Sequence, residues 1–186
     1  MSIKPDIIEE LRSIEISQLP DMCMYCCMEM LLKFLGIQFK DLQEKYPQYT
    51  GNNNVQEILL GYVTNNFSGH YRRICDLTDA IEKLDLGIKA IREWRNSAQK
   101  GNGNFITIQQ IEDYVQRYDM ICVNLYENLT TSIGHSYIIH QCDSLNKFFY
   151  VIDPTDKKKI TLAYSDFEMK WINKDVPYSE LFFIHR

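Results

Sequence analysis

Cys23-Met-Tyr-Cys-Cys-Met-Glu-Met-Leu-Leu-Lys-Phe-Leu-Gly36 is the most apolar helical stretch of this 186-residue chain. Its pattern predicts a helix from about Met24 to Leu35 that stops at Gly36, since glycine takes up the positive φ of a helix terminus without a Cβ clash. The approach, Ser17-Gln-Leu-Pro-Asp21, is not helical, so Cys23 falls where the helix opens. A thiol there meets the positive end of the helix dipole and N–H groups with no helical partner. Both favour thiolate, which is the nucleophilic form. Cys27, Leu31 and Phe34 share one face and Cys26 shares another with Met30, so those two thiols read as small core residues.

On the N-terminal side, Ile7, Ile8, Leu11 and Ile14 recur at helical spacing, with Pro5 suited to a first turn. On the C-terminal side, Val55, Ile58, Leu59, Tyr62 and Val63 line one face of a helix over 55–67, and a short helix at 77–85 ends near Gly87. Ile88–Arg92 reads as a strand, and the polar, glycine-containing segment Arg95–Asn104 as an exposed loop. Thr107 with Gln110 forms a capping box for a helix carrying Ile108, Ile111 and Val115. Strands are expected at Met120–Tyr126, His135–Cys142, Phe148–Asp153 and Leu181–Ile184. A second capping box, Ser165 with Glu168, is expected to open a helix ending near Trp171. Helices first and an antiparallel sheet after them make an α+β fold. Without repeats or a low-complexity linker, residues 1–186 read as a single domain, with helix 1–15 at its periphery.

A histidine and an aspartate stand at the ends of two of these strands. His135 opens the strand that runs to Cys142, Asp143-Ser-Leu-Asn146 supplies a turn, and Lys147–Asp153 runs back to Pro154. If Gln141 faces Lys147, His135 faces Asp153, and directly opposed side chains lie on one side of a sheet. A carboxylate beside an imidazole holds its tautomer and stabilises the imidazolium. His140 lies five positions after His135 and points to the opposite face.

Composition narrows the function. With 45% apolar and 24% charged residues the chain is that of an ordinary globular protein. Its net charge of -5 disfavours nucleic acid as a partner, because phosphate binding needs a positive surface. The one dense basic run, Lys157-Lys-Lys159, reads as a turn of solvated lysines beside Asp153 and Asp156. There is no apolar run of about 20 residues and no apolar signal core at the N-terminus, which suits a cytoplasmic protein without membrane partners. Export as an effector by a route without a signal peptide would leave the same sequence. Six cysteines, three of them within five positions, suit catalysis or a metal better than a disulfide framework.

The run Cys23–Gly36, with Met30 inside the helix, resembles the nucleophile helix of the bacterial C39 and C39-like cysteine peptidases. Gly134-His135 followed by a strand and then Val-Ile-Asp153-Pro154 resembles that family's histidine strand and Asp-Pro end. The resemblance spans about residues 16–185. It implies a papain-like fold and a thiol hydrolase that cleaves a peptide or amide bond without cofactor or metal. Cys23 would be the nucleophile, His135 the base, Asp153 the residue that orients the base, and Gln18 an oxyanion donor beside the Cys23 N–H. The sequence departs from the family pattern at two points: Met24 replaces the usual glycine after the nucleophile, and the Gln18-to-Cys23 interval of five is one shorter than usual.

Other readings compete. The same triad supports acyl transfer or deamidation, and Met24 also suits an inactive binding module. Cys23 and Cys26 with His140 and Cys142 could hold zinc, although His140 and Cys142 are not a usual tight ligand pair. Dithiol chemistry at Cys23-x-x-Cys26 lacks the βαβ setting it needs. Around a thiol enzyme's cleft, the segments Arg95–Asn104 and Glu127–Gly134 are the expected borders.

Overall fold

The computed structural model describes residues 9, 12–14, 18, 22–49, 54–66, 74–83, 85, 87, 89–96, 106–118, 120–128, 133–171 and 178–185. Most of the expected helix at 5–14, and residues 97–104 and 129–132 of the segments Arg95–Asn104 and Glu127–Gly134 expected to border a cleft, lie outside them; the other residues of those two segments belong to strands.

The Cys23 helix forms as α1 (Cys23–Phe34). It closes at Gly36, whose φ is 81°. The Gly36 N–H donates to the Lys33 carbonyl and the Ile37 N–H to the Leu32 carbonyl, both at 2.9 Å. This pair of bonds satisfies carbonyls that a helix end otherwise leaves unpaired. A short helix that periodicity alone does not reveal follows, α2 (Phe39–Lys45), fixed by the Asp41 carboxylate accepting the Gln38 N–H at 2.7 Å. Next come α3 (Val55–Asn66) and α4 (Ile74–Lys83). In α3 the five apolar residues that define its face are all buried.

Among the described residues six strands form one sheet: β1 (Lys89–Asn96), β2 (Ile121–Asn128), β3 (Ile133–Asp143), β4 (Phe148–Ile152), β5 (Lys159–Ala163) and β6 (Tyr178–His185). Their spatial order is β1-β6-β2-β3-β4-β5 and every neighbouring pair is antiparallel. Helix α5 (Ile108–Tyr118) precedes β2, and its capping box forms as expected. The Thr107 N–H donates to Gln110 Oε1 at 2.9 Å, and the Gln110 N–H to Thr107 Oγ1 at 3.2 Å. Helix α6 (Tyr164–Trp171) starts directly after β5, so Ser165 lies inside its first turn and not at the cap. The lysine run also differs from expectation. Lys159 begins β5, and the Lys157 ammonium donates to the carbonyls of Arg12 and Ile14, fastening the N-terminal segment over the turn.

Both faces of the sheet are covered, which makes the fold α+β with helices on two sides. On one face Cys122, Ile138, Ile152, Phe182 and Ile184 pack with α1, α3 and α4. On the other, Val123, Tyr137, Ile139, Val151, Leu181 and Phe183 pack with Ile111 and Val115 of α5 and with Phe167 and Trp171 of α6. Adjacent residues thus serve opposite cores, and β3, β4 and β6 read as nearly continuous apolar runs without a strict alternation.

The β3–β4 register departs from the expected one. Asp143 pairs with Phe148 across the turn, and a bulge at His140 separates the Gln141–Tyr150 and Ile139–Val151 pairs. Ile138 then faces Ile152, so the register carried one step on sets Asp153 against Tyr137 and not His135. The turn at 144–147, where Asp143 accepts the N–H groups of Leu145 and Asn146, causes the shift, and the extra residue at the bulge takes back one position of it.

Candidate active site

Helix α1 delivers Cys23 to the end of the β3–β4 hairpin. Its first turn holds no acidic side chain, and Met22 at the N-cap offers no side-chain cap, so a thiolate at Cys23 meets the positive end of the helix without competition from an acidic side chain of that turn. The Cys26 thiol donates to the Pro154 carbonyl at 3.6 Å, which ties the start of α1 to the turn that follows Asp153. Met24 turns away and packs with the helical core, 5% exposed. The residue that replaces the usual glycine therefore puts its bulk into the interior.

His135 and Asp153 meet although they are not directly opposed. Two positions apart along one side of the hairpin is within reach of these side chains, and His135 Nε2 lies 2.9 Å from Asp153 Oδ1. The Tyr137 ring stands edge-on to the imidazole, with centroids 4.7 Å apart, and limits its rotation. Asp153 Oδ1 also accepts the Thr155 N–H at 2.8 Å. The Thr155 hydroxyl in turn donates to Gln18 Oε1 at 2.8 Å, which places Gln18 beside the Asp-Pro turn. With Nε2 committed to the carboxylate, Nδ1 is the imidazole nitrogen left for the Cys23 sulfur.

The electrostatics follow from these contacts. Burial raises the Cys23 thiol, but hydrogen bonding with the His135 side chain and with the side chain and backbone of Ser136 outweighs it and leaves the thiol below its ordinary value. For His135, burial disfavours the imidazolium, yet the bonds to Cys23 and Asp153 prevail and push its pKa up to about 9. Burial likewise raises Asp153, while His135 and the Thr155 N–H bring it below the ordinary carboxylate range. A lowered thiol beside a raised imidazole is the setting of a thiolate–imidazolium pair. Cys26 behaves in the opposite way: burial and the nearby Glu29 push it up to about 12, so it remains a thiol.

Two residues at the site escape the sequence reading. Ser136 is fully buried, and its hydroxyl lies 3.6 Å from the Cys23 sulfur. Asn124, directly opposite it on β2, accepts the Ser136 hydroxyl through Oδ1. The sequence does contain a signal for Ser136. Strand alternation from His135 puts it on the face that α1 covers, where the next residue on that side is Ile138, and a polar side chain there needs a partner. The rival zinc grouping does not assemble, since among the described residues no three metal-ligating side chains converge. His140 instead lies buried at the bulge with its Nε2 unpartnered.

Among the described residues no helix is long and apolar enough to cross a membrane. None of the curated proteins compared with the chain matches it. A family model does match: that of the peptidase C39-like family, over residues 12–175, from before Gln18 to beyond α6. With a cysteine at a buried helix start, facing a histidine and an aspartate on an antiparallel sheet, the chain belongs to the peptidase C39-like family.

Proposed function

We propose that this protein is a papain-like thiol hydrolase that cleaves a peptide or amide bond through an acyl-enzyme. The observation that carries this reading is the chain of contacts from the Cys23 thiol to His135 and from His135 Nε2 to Asp153 Oδ1 at 2.9 Å. Cys23, as thiolate, attacks the substrate carbonyl carbon. The carbonyl oxygen takes up the negative charge and receives the Cys23 N–H at the helix start, with Gln18 Nε2 as a second donor. His135 then passes its proton to the leaving amine nitrogen, the C–N bond breaks, and a thioester remains on Cys23. Neutral His135 next takes a proton from water, whose oxygen attacks the thioester, and the thiolate departs as the acid product forms. Asp153 holds the ring and its tautomer throughout without taking the proton.

Gln18 supports its assigned role through position: with Oε1 held by Thr155, its Nε2 is the end left to donate. The burial of Met24 favours a working site over an inactive binding module, because its bulk packs with the helical core. The substrate partner on this reading is a peptide or a protein.

Alkylation with iodoacetamide at neutral pH, read by peptide mapping, tests the nucleophile. Cys23 should label first, well ahead of buried Cys26, Cys27, Cys122 and Cys142. Against a fluorogenic peptide library, Cys23→Ala should abolish turnover and His135→Ala nearly so, whereas Cys26→Ser and Cys27→Ser should retain it. Turnover that survives Cys23→Ala, or label spread evenly over the cysteines, would sink the proposal.

A further inference from the structure

Ser136 lies between the reacting sulfur and Asn124. Its hydroxyl accepts the Cys23 S–H at 3.6 Å while donating its own hydrogen to Asn124 Oδ1. The side chain is 0% exposed, which keeps its hydroxyl from bulk solvent. Asn124 and Ser136 are a directly opposed cross-strand pair, which fixes both on the face that α1 covers.

We infer that Ser136 is a further catalytic residue, whose hydroxyl turns from Asn124 to the Cys23 sulfur when the thiol ionises. The inference rests on the thiol-hydrolase reading above and adds a group to it. A thiol can offer its hydrogen to Ser136 Oγ, but a thiolate has none to offer and needs donors instead. When the proton leaves sulfur for the His135 imidazole, the lone pairs on sulfur face a hydroxyl that accepts from nothing. Rotation about the Cβ–Oγ bond carries the hydroxyl hydrogen from Asn124 Oδ1 to sulfur. No covalent bond other than S–H breaks, and the only new one is N–H on His135. Asn124 thus competes with the thiolate for one hydrogen, and the outcome sets how readily Cys23 ionises. The Ser136 contacts act in the direction expected of this arrangement, lowering the thiol. Among the described residues, the ionisable groups around the sulfur are His135 from β3 and Cys26 and Cys27 from α1; Glu29 of α1, and Asp153 and Lys157 from the turn after β4, act on neighbouring Cys26.

The pH dependence of Cys23 alkylation by iodoacetamide tests this with two variants that predict opposite shifts. Ser136→Ala removes the donor and should move the midpoint of alkylation up by about one pH unit. Asn124→Ala removes the competing acceptor and should move it down. Damage to the fold alone would not produce shifts of opposite sign, and thermal unfolding of each variant checks the fold independently. A midpoint that Ser136→Ala leaves in place, or shifts of the same sign in both variants, would overturn the inference. His135→Ala separates this from the parent reading. A profile moved by His135→Ala but not by Ser136→Ala overturns the hydroxyl's role and leaves the triad standing. A profile moved by Ser136→Ala but not by His135→Ala supports the hydroxyl and removes the ion pair.

Discussion

His135 is under opposing influences, and the balance makes its titration useful. Burial alone would keep the imidazole neutral, but Asp153 on one nitrogen and Cys23 on the other hold its proton until about pH 9. The leaving amine needs that proton, so kcat/KM on a fluorogenic peptide should fall as the pH rises through about 9. Its acid limb should lie below the ordinary thiol range, where the thiolate forms. Asp153→Asn removes the negative charge that favours the imidazolium, so the alkaline limb should move to lower pH, by about one unit. An alkaline limb unmoved by that substitution would mean that Asp153 does not act on the imidazole.

Elements position these residues through their ends more than through their middles. Helix α1 begins at the nucleophile and ends in the left-handed turn at Gly36, where φ is 81°. A side chain there must bear a conformation that L residues avoid, so Gly36→Ala should cost about 1 kcal/mol in denaturant unfolding. A variant as stable as the parent would show that the turn relaxes to another conformation. The β3–β4 hairpin depends on one additional residue. The bulge at His140 shifts the pairing so that Asp153 reaches His135 diagonally. Alternation along β3 puts Tyr137, two residues on, on the imidazole's side, where its ring edge meets His135.

At the scale of the whole molecule, the bulge has a consequence for stability. His140 is 8% exposed with Nε2 unpartnered, and burial, with Lys159 nearby, pushes its pKa down to about 4. Between about pH 6.5 and 4 the unfolded chain binds a proton at this residue that the native state refuses. Stability conferred by neutral His140 is therefore complete above the unfolded pKa and is lost as pH falls towards about 4. Relative to pH 7, the loss at pH 5 should be about 2 kcal/mol from this residue alone. His140→Leu should remove that part of the acid sensitivity, read as the difference in urea unfolding free energy between the two pH values. Equal sensitivity in both proteins would mean that His140 gains a proton in the folded state as readily as in the unfolded one.

The sequence alone determined what neighbouring residues decide among themselves: the α1 stretch with its stop at Gly36, the Thr107–Gln110 cap, the apolar face of α3, and a cysteine at a helix start. These depend on contacts within a few positions, where periodicity and capping chemistry act. It also pointed to His135 and Asp153 as partners, because they stand at the matching ends of two strands joined by a short turn, where a register two positions off still leaves them on one face. The tertiary structure decided the rest. It inserted β6 between β1 and β2, placed the bulge at His140, started β5 at the last residue of what reads as a lysine turn, and brought Ser136 to the sulfur with Asn124 behind it. Strands buried on both faces carry no alternation to announce their register, so the choice falls to side chains packing from helices far away in the chain.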